Sequence, residues 1–225
     1  FFVFLILVHA LIGIFGLHRM RVRKSAENPD STFTPMPATI TPAGLELDPD
    51  TPETLDNYIL PEHPLHPSYN YLSLTHKADY LRTYFMRFHG GGYSDIKKTT
   101  GSWIESFEKL NKSDKWIIGY KERKMGAVWQ IRDKWMYLVG NGAYICKPNT
   151  PFVIEWYEKM IQLMDEKYDE LKKNPAKWAR DCKERKKGYP IAWNEMLGRI
   201  FHPTVYKYRE KRLNTLPISI FQGYR

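Results

Sequence analysis

The segment from His76 to Lys97 constrains the fold of this chain more than any other. Its first half carries an apolar stripe at helical spacing, which is formed by Ala78, Leu81, Phe85 and Phe88. Three consecutive glycines, residues 90–92, then predict the end of the helix, because glycine accepts the left-handed backbone of a helix C-cap without strain. The segment therefore predicts a helix, a glycine corner and a short strand that ends at Asp95.

Charged residues occupy two informative places in this unit. Asp79 and Arg82 are three residues apart, so they lie side by side on one face of the predicted helix. Asp95 follows the glycines, where a carboxylate beside bare backbone suits a divalent cation or a phosphate-bearing ligand. The plainer interpretation is a capped helix with a surface ion pair. The spacing alone leaves both interpretations open.

The order of these residues resembles the signature of DXD-type sugar transferases. In that group an Asp-x-x-Arg helix leads into Gly-Gly-x-Tyr-x-Asp-x-Asp, and its members include initiating mannosyltransferases, glucosylating toxins and capsular polysaccharide synthesis proteins. The match is densest over residues 72–97 and continues weakly through residues 140–145 and 193–197. The resemblance implies an α/β fold of the nucleotide-sugar-binding (GT-A-like) kind, with a mixed sheet flanked by helices. It also implies transfer of a sugar from a nucleotide-diphosphate donor to a glycan or other acceptor.

The resemblance also implies roles for residues near the glycine corner. Asp95 corresponds to the carboxylate that is catalytic and binds the metal or the donor diphosphate, and Asp79 and Arg82 correspond to the pair that contacts the nucleotide. Further donor-binding positions are Gly91, Gly92 and Tyr93, where bare backbone can approach phosphates and an aromatic ring can line the pocket.

Later positions in the chain match the family more weakly. Asn141 and Gly142 correspond to a segment that faces the donor sugar, although a Gly-Asn-Gly turn can be purely structural. Glu195 is a candidate catalytic base for the acceptor hydroxyl. His202 is a candidate metal or phosphate contact, but a histidine beside proline can simply end a helix. None of these three assignments follows from spacing alone.

Two departures from the family pattern bear on activity. Lys97 replaces the second aspartate, which weakens a site for Mn²⁺ or Mg²⁺ because such cations need several oxygen ligands. Lys97 could instead contact the donor diphosphate as a point charge. In addition, no convincing first strand and helix of the nucleotide pocket precede Leu72. The alternative to an active enzyme is therefore an inactive, membrane-tethered relative that binds a glycan or a partner protein.

The net charge of +9 is unevenly distributed. Residues 25–70 carry eight acidic and no Lys or Arg residues, whereas residues 71–225 carry thirty basic and seventeen acidic residues. The basic part predicts anionic partners such as nucleotide diphosphates or lipid head groups. We predict no nucleic-acid partner, because no recognised module of that class is present. Cys146 and Cys182 have neither disulfide-framework nor metal-site spacing.

Composition divides the chain into three parts. Residues 1–18 are almost continuously apolar and predict a transmembrane anchor, with a cleaved signal peptide as the alternative. Residues 19–57 form a basic flank and a stalk rich in proline and acid, and residues 58–225 form the transferase-like domain. We thus predict a single-pass membrane protein, resident in the Golgi if eukaryotic. Its orientation stays open, because the basic flank favours a cytosolic domain whereas similar Golgi enzymes are lumenal.

Local patterns predict the remaining elements of the domain. Helices are predicted over residues 99–110, 150–174 and 191–200, the last stopped by Phe201-His202-Pro203. A buried strand is predicted over residues 116–120. Two further strands, 136–139 and 143–146, are predicted on either side of a Gly140-Asn141-Gly142 turn.

Overall fold

A computed structural model describes residues 4–5, 15–16, 55–95, 99–122, 129–182 and 187–220. Near the N-terminus it contains two short strands, β1 (Phe4–Leu5) and β2 (Phe15–Gly16), which pair antiparallel. The rest of the predicted anchor over 1–18, and the predicted stalk as far as residue 54, lie outside the described residues. Within the described ranges, no helix has both the length and the apolar character required to span a membrane.

The centre of the fold is a four-stranded mixed sheet. Its strands are β3 (Gly91–Ser94), β4 (Ile117–Lys121), β5 (Val139–Cys146) and β6 (Arg212–Leu213), and their spatial order is β3-β5-β4-β6. Both β3 and β4 run antiparallel to β5, whereas β6 runs parallel to β4. With helices packed on the sheet, the predicted α/β class with a mixed sheet flanked by helices is confirmed.

The side chains of the central strand β5 alternate between two hydrophobic clusters. Tyr144 and Cys146 belong to the larger cluster, whereas Ala143 and Ile145 belong to the smaller one. This is the period-two alternation of a strand with both faces covered. Most of β5 is buried for that reason.

In the described residues, four α-helices cover the two faces of the sheet. They are α1 (Leu74–Phe88), α2 (Ile104–Asn111), α3 (Pro151–Lys173) and α4 (Gly198–Lys207). Helices α1 and α4 each pack against α3, and all three contribute to the larger cluster. Helix α2 contributes Trp103, at its N-cap, together with Phe107 and Leu110 to the smaller cluster on the other face.

The structure confirms the two helices and the strand that the strongest local patterns of the sequence predict. Helix α1 is N-capped by the Ser73 hydroxyl, which accepts a hydrogen bond from the backbone N–H of His76 at 3.3 Å. The helix ends before Gly90 and Gly91, whose φ angles of 66° and 104° lie in the left-handed region. Helix α3 begins directly after Thr150 and ends before Asn174, as the flanking residues predicted. The predicted strand at 116–120 is present as β4.

The predicted hairpin around residues 140–142 is wrong. Residues 139–146 form one continuous strand, because Asn141 and both neighbouring glycines lie within β5. The glycines are needed for space rather than for a turn. A Cβ atom added to Gly140 would lie 1.9 Å from Cζ of Tyr120, and one added to Gly142 would lie 3.1 Å from Oδ2 of Asp95.

The predicted helix at 191–200 is displaced. Residues 193–197 form turns, and helix α4 starts at Gly198 and continues through Pro203, which had been expected to end it. A proline inside a helix removes one backbone hydrogen bond. The packing of Phe201 offsets that loss, since its ring stacks on Tyr144 and contacts Trp156 edge to face, with ring centroids 5.2 and 4.9 Å away. The predicted helix at 99–110 also starts later than expected, at Ile104.

Candidate functional site

A buried ion pair links helix α1 to the central strand. The Arg82 guanidinium lies 2.9 Å from the Asp79 carboxylate, and both side chains are almost fully buried. A second guanidinium nitrogen donates a hydrogen bond to the backbone carbonyl of Asn141 in β5, at 3.1 Å. Asp79 and Arg82 are three positions apart in the helix, so the pair needs only a straight helix to form. Its burial is set by the packing of α1 against the sheet.

Strand β3 brings a second carboxylate to the same place. The Arg82 guanidinium lies 4.2 Å from the centroid of the Tyr93 ring, in cation–π geometry. The Tyr93 hydroxyl donates a hydrogen bond to Asp95 Oδ1 at 2.7 Å. The backbone N–H of Asp95 in turn donates to the carbonyl of Gly142 at 2.8 Å. We call this group of Asp79, Arg82, Tyr93 and Asp95, with the backbone of residues 141–142, the Asp95 cluster.

Burial and charge coupling shift the pKa values within the Asp95 cluster. Burial raises the pKa of Asp79 to about 6, although the Arg82 charge opposes this rise and Asp95 adds to it. Burial alone would lower the pKa of Arg82, but Tyr93 and Asp79 reverse the direction and keep it charged. The pKa of Tyr93 is raised well above its usual value, first by burial, so its hydroxyl stays protonated and donates to Asp95.

The charge balance of the Asp95 cluster limits what it can bind. Two carboxylates against one guanidinium give a surplus of one negative charge when both acids are ionised. Such a group suits the hydroxyls of a sugar better than a bare diphosphate, which would need the positive charge of Lys97 or Lys98. Both lysines, with Ile96, lie outside the described residues.

The fit of the predicted Mn²⁺ or Mg²⁺ can be judged from the ligands. A hard cation takes six or more oxygen ligands, whereas Asp79 is already ion-paired and Asp95 accepts the Tyr93 hydroxyl. In the part of the chain that is described, no group of three or more His, Cys, Asp or Glu residues could hold a metal ion. A metal role for Asp95 stays a prediction.

Gly91 and Gly92 stand beside the Asp95 cluster in β3. Gly91 has the left-handed backbone noted above. Gly92 packs against the Trp103 ring, so that a Cβ atom added to it would lie 3.1 Å from the ring. Both glycines therefore have a structural reason to be present. The predicted role of their backbone in approaching phosphates stays a prediction.

Glu195 and His202 have defined positions of their own. Glu195 Oε2 accepts the N–H of Ala192 at 2.7 Å, so this carboxylate holds the loop before α4. Burial lowers the pKa of His202 to about 4, which makes the ring neutral near pH 7. Among the described residues, neither ring nitrogen of His202 has a hydrogen-bond partner. The catalytic role of Glu195 and the metal role of His202 stay predictions.

Two tyrosines complete the site and were missed from the sequence. The Tyr144 ring stacks on Tyr93, with ring centroids 5.3 Å apart. Tyr120 approaches the strand at Gly140 and Gly142, so it lies over the same end of the cluster. Both residues sit within apolar strands, where an aromatic residue looks like ordinary core. The glycines opposite Tyr120 were the available signal, and they were interpreted as a turn.

Comparison with known proteins does not extend this description. No protein-family model, curated protein or solved structure matches the chain.

Proposed function

We propose that this chain is a membrane-anchored transferase that moves a sugar from a nucleotide-diphosphate donor to a glycan acceptor. The observation that carries the proposal is the convergence of the family-like residues. Asp79, Arg82, Tyr93 and Asp95 come from a helix and a strand, and they meet the backbone of residues 141–142 from another strand. The resemblance had assigned Asp95 to catalysis and to the metal or donor diphosphate, and the other positions to donor binding.

The chemistry of the Asp95 cluster supports sugar recognition. The Asp95 carboxylate is oriented by Tyr93, and carboxylates in fixed positions accept hydrogen bonds from sugar hydroxyls. The nucleotide diphosphate gains negative charge as it departs, so the site needs a positive charge beside it. Stabilising that charge is usually the largest part of catalysis in such reactions. In our proposal Lys97 supplies that charge, and no step depends on a bound cation. The GT-A-like fold and the anchor over residues 1–18 belong to this proposal as well.

Donor binding and hydrolysis test the proposal directly. We expect the purified full chain to bind at least one member of a panel of uridine- and guanosine-diphosphate sugars in saturation-transfer NMR, and to hydrolyse it slowly. Asp95→Asn keeps the shape of the side chain but removes its charge, so it should weaken donor binding tenfold or more. Asp169→Asn, on the exposed side of α3, is the matched control and should change nothing. A chain that binds no member of the panel, with Mn²⁺ present or absent, would overturn the proposal.

A second candidate function is a catalytically inactive binding protein. It is favoured because predicted functional groups already have partners within the protein. Asp79 pairs with Arg82, and Glu195 accepts a hydrogen bond from the backbone of Ala192. Lys97→Asp distinguishes the two candidates. Metal-dependent turnover that appears with this variant would indicate an intact donor pocket that has lost one ligand. Glycan binding without turnover in either form would favour the binding protein.

A further inference from the structure

The surface beyond the C-terminal end of α3 has an unusual composition. Its described residues, 172–182 and 187–188, include five basic residues and one acidic residue. Two large aromatic residues lie exposed in the same region, Trp178 at 43% and Trp193 at 48% of full exposure. We call this surface the tryptophan face. Its residues are Lys173, Lys177, Trp178, Arg180, Lys187 and Trp193.

A concave pocket of about 500 Å³ opens at the tryptophan face. Three lysines line it, Lys173, Lys177 and Lys187, together with a single carboxylate, Asp181. Lys187 lies 3.1 Å from Asp181, so one lysine is already ion-paired. The pocket therefore carries two positive charges in excess, and its lysines provide donors for a carboxylate, sulfate or phosphate group.

The exposed tryptophans each carry a cation over the ring. Lys177 Nζ lies 5.3 Å from the Trp178 ring centroid, and the Arg180 guanidinium lies 5.2 Å from that of Trp193. Lys177 also lines the pocket, so the pocket and the Trp178 ring share this side chain. An indole offers a flat apolar platform with a polar edge. The apolar face of a pyranose ring stacks on such a platform while a nearby cation pairs with an acidic substituent.

The tryptophan face is attached to the helix that carries Asp79 and Arg82. The backbone carbonyl of Lys177 accepts a hydrogen bond from Leu74, the first residue of α1, at 3.1 Å. The Tyr189 hydroxyl, at the pocket wall, lies 2.8 Å from Nδ1 of His76. Asp79 is three residues further along the helix than His76, which is about 5 Å along its axis. The tryptophan face is thus fixed to the first turns of the helix that carries Asp79 and Arg82.

We propose that the tryptophan face binds an anionic saccharide, a chain of sugar rings that carries carboxylate, sulfate or phosphate groups. The inference rests on the proposed function in one respect, namely that this saccharide is the acceptor for sugar transfer. The pocket favours a saccharide over a lipid bilayer, because lysines that line a recess are reached more easily by a sugar chain than by a flat membrane surface.

Titration of the full chain with defined oligosaccharides tests this binding. The probes are tetragalacturonate, a heparin-derived tetrasaccharide and a phosphorylated mannose oligosaccharide, with neutral maltotetraose for comparison. We expect at least one anionic probe to bind tenfold or more tightly than maltotetraose, with an affinity that falls as salt is raised. The identity of that probe distinguishes carboxylate, sulfate and phosphate as the recognised group.

Matched variants locate the binding surface. Trp178→Ala and Trp193→Ala should each weaken binding of the anionic probe tenfold or more, and Lys177→Gln should reduce its salt dependence. Tyr137→Ala removes a similarly exposed aromatic residue in another region, and Lys112→Gln an exposed lysine, so both should bind as the original chain does. Unchanged binding in both tryptophan variants would overturn the proposal.

Two further measurements separate this inference from the proposed function. Anionic saccharide that binds to a chain unable to bind any nucleotide sugar would support the tryptophan face and overturn the transferase. Donor binding without any saccharide binding would overturn the tryptophan face as a saccharide site and leave the transferase supported. Binding of phosphatidylserine vesicles or single-stranded oligonucleotides that depends on both tryptophans, with no saccharide bound, would also overturn the inference.

Discussion

Two groups in this molecule contain the same chemical parts in different surroundings. In the Asp95 cluster, carboxylates meet a guanidinium and a tyrosine hydroxyl inside the protein. On α3, Glu155 pairs with Lys159 at 2.7 Å and Lys207 at 2.5 Å, and it accepts the Tyr208 hydroxyl at 2.8 Å. We call the second group the Glu155 cluster. Its two lysines are 43% and 59% exposed, whereas Asp79 and Arg82 are 3% and 8% exposed in their side chains.

The two clusters shift carboxylate pKa values in opposite directions. Burial raises the pKa of Asp79 to about 6 despite the Arg82 charge. At Glu155 burial also acts to raise the pKa, but hydrogen bonds from Lys159 and Lys207 lower it to about 2. Both carboxylates have positively charged partners, so the extent of burial decides whether the pKa rises or falls. Buried acids with a raised pKa, such as Asp79, are typical of functional sites. Ion pairs near the surface, such as those of Glu155, are common in all proteins.

Removal of the cation should separate the two clusters most strongly. Arg82→Met leaves Asp79 buried without its partner, and we expect the free energy of unfolding to fall by about 3–5 kcal/mol. Lys159→Met removes a partner of an exposed pair and should cost less than about 1 kcal/mol. Urea denaturation followed by circular dichroism measures both. Equal losses would mean that burial does not distinguish the clusters.

The pH dependence of stability tests the raised pKa of Asp79. Because its folded pKa of about 6 lies above the ordinary value of 3.8, the folded chain binds more protons between these pH values. The contribution of Asp79 is complete below about pH 4 and is lost as the pH rises through 6. Relative to Asp79→Asn, the original chain should lose about 3 kcal/mol from pH 4 to pH 7, at about 1.4 kcal/mol per pKa unit. Urea denaturation at each pH provides the values, and a relative gain on raising the pH would contradict the prediction.

His202 shows burial without a paired charge and gives the opposite pH effect. Burial lowers its pKa from 6.5 to about 4, so the contribution of the neutral ring is present above pH 6.5 and lost as the pH falls through 4. We expect the original chain to lose about 3 kcal/mol relative to His202→Gln between pH 7 and pH 4. Thermal or urea unfolding over this range measures the difference. Parallel pH profiles for both proteins would show that the ring is not held in a neutral state.

The sequence predicted the parts of the fold that depend on local signals. Helices α1 and α3 follow from an apolar stripe and a cap, which lie within one segment and need no information about the rest of the chain. The glycine corner at residues 90–92 is of the same kind. The grouping of Asp79, Arg82, Tyr93 and Asp95 followed from the resemblance rather than from spacing. A three-residue separation says nothing about whether an ion pair is buried.

Features that depend on distant contacts could not be predicted. Gly140-Asn141-Gly142 is a strong local turn signal, but the Tyr120 ring occupies the space beside Gly140 and β5 continues through it. Pro203 is a local stop signal, but the packing of Phe201 on Tyr144 and Trp156 carries α4 past it. In both cases a ring from another element outweighs the local preference. Tertiary packing commonly overrides local propensity in this way.

Removal of the acid from the Glu155 cluster should have a much smaller effect than removal of Arg82. Glu155→Gln keeps the size of the side chain and removes a charge whose partners are largely exposed, so we expect a loss of about 1 kcal/mol or less at pH 7. Because the folded pKa of about 2 lies below the ordinary value of 4.5, this contribution is present above pH 4.5 and is lost as the pH falls through 2. Raising the salt concentration should reduce it further. A loss as large as that of Arg82→Met, measured by the same urea denaturation, would mean that the number of partners, rather than burial, determines the strength of these groups.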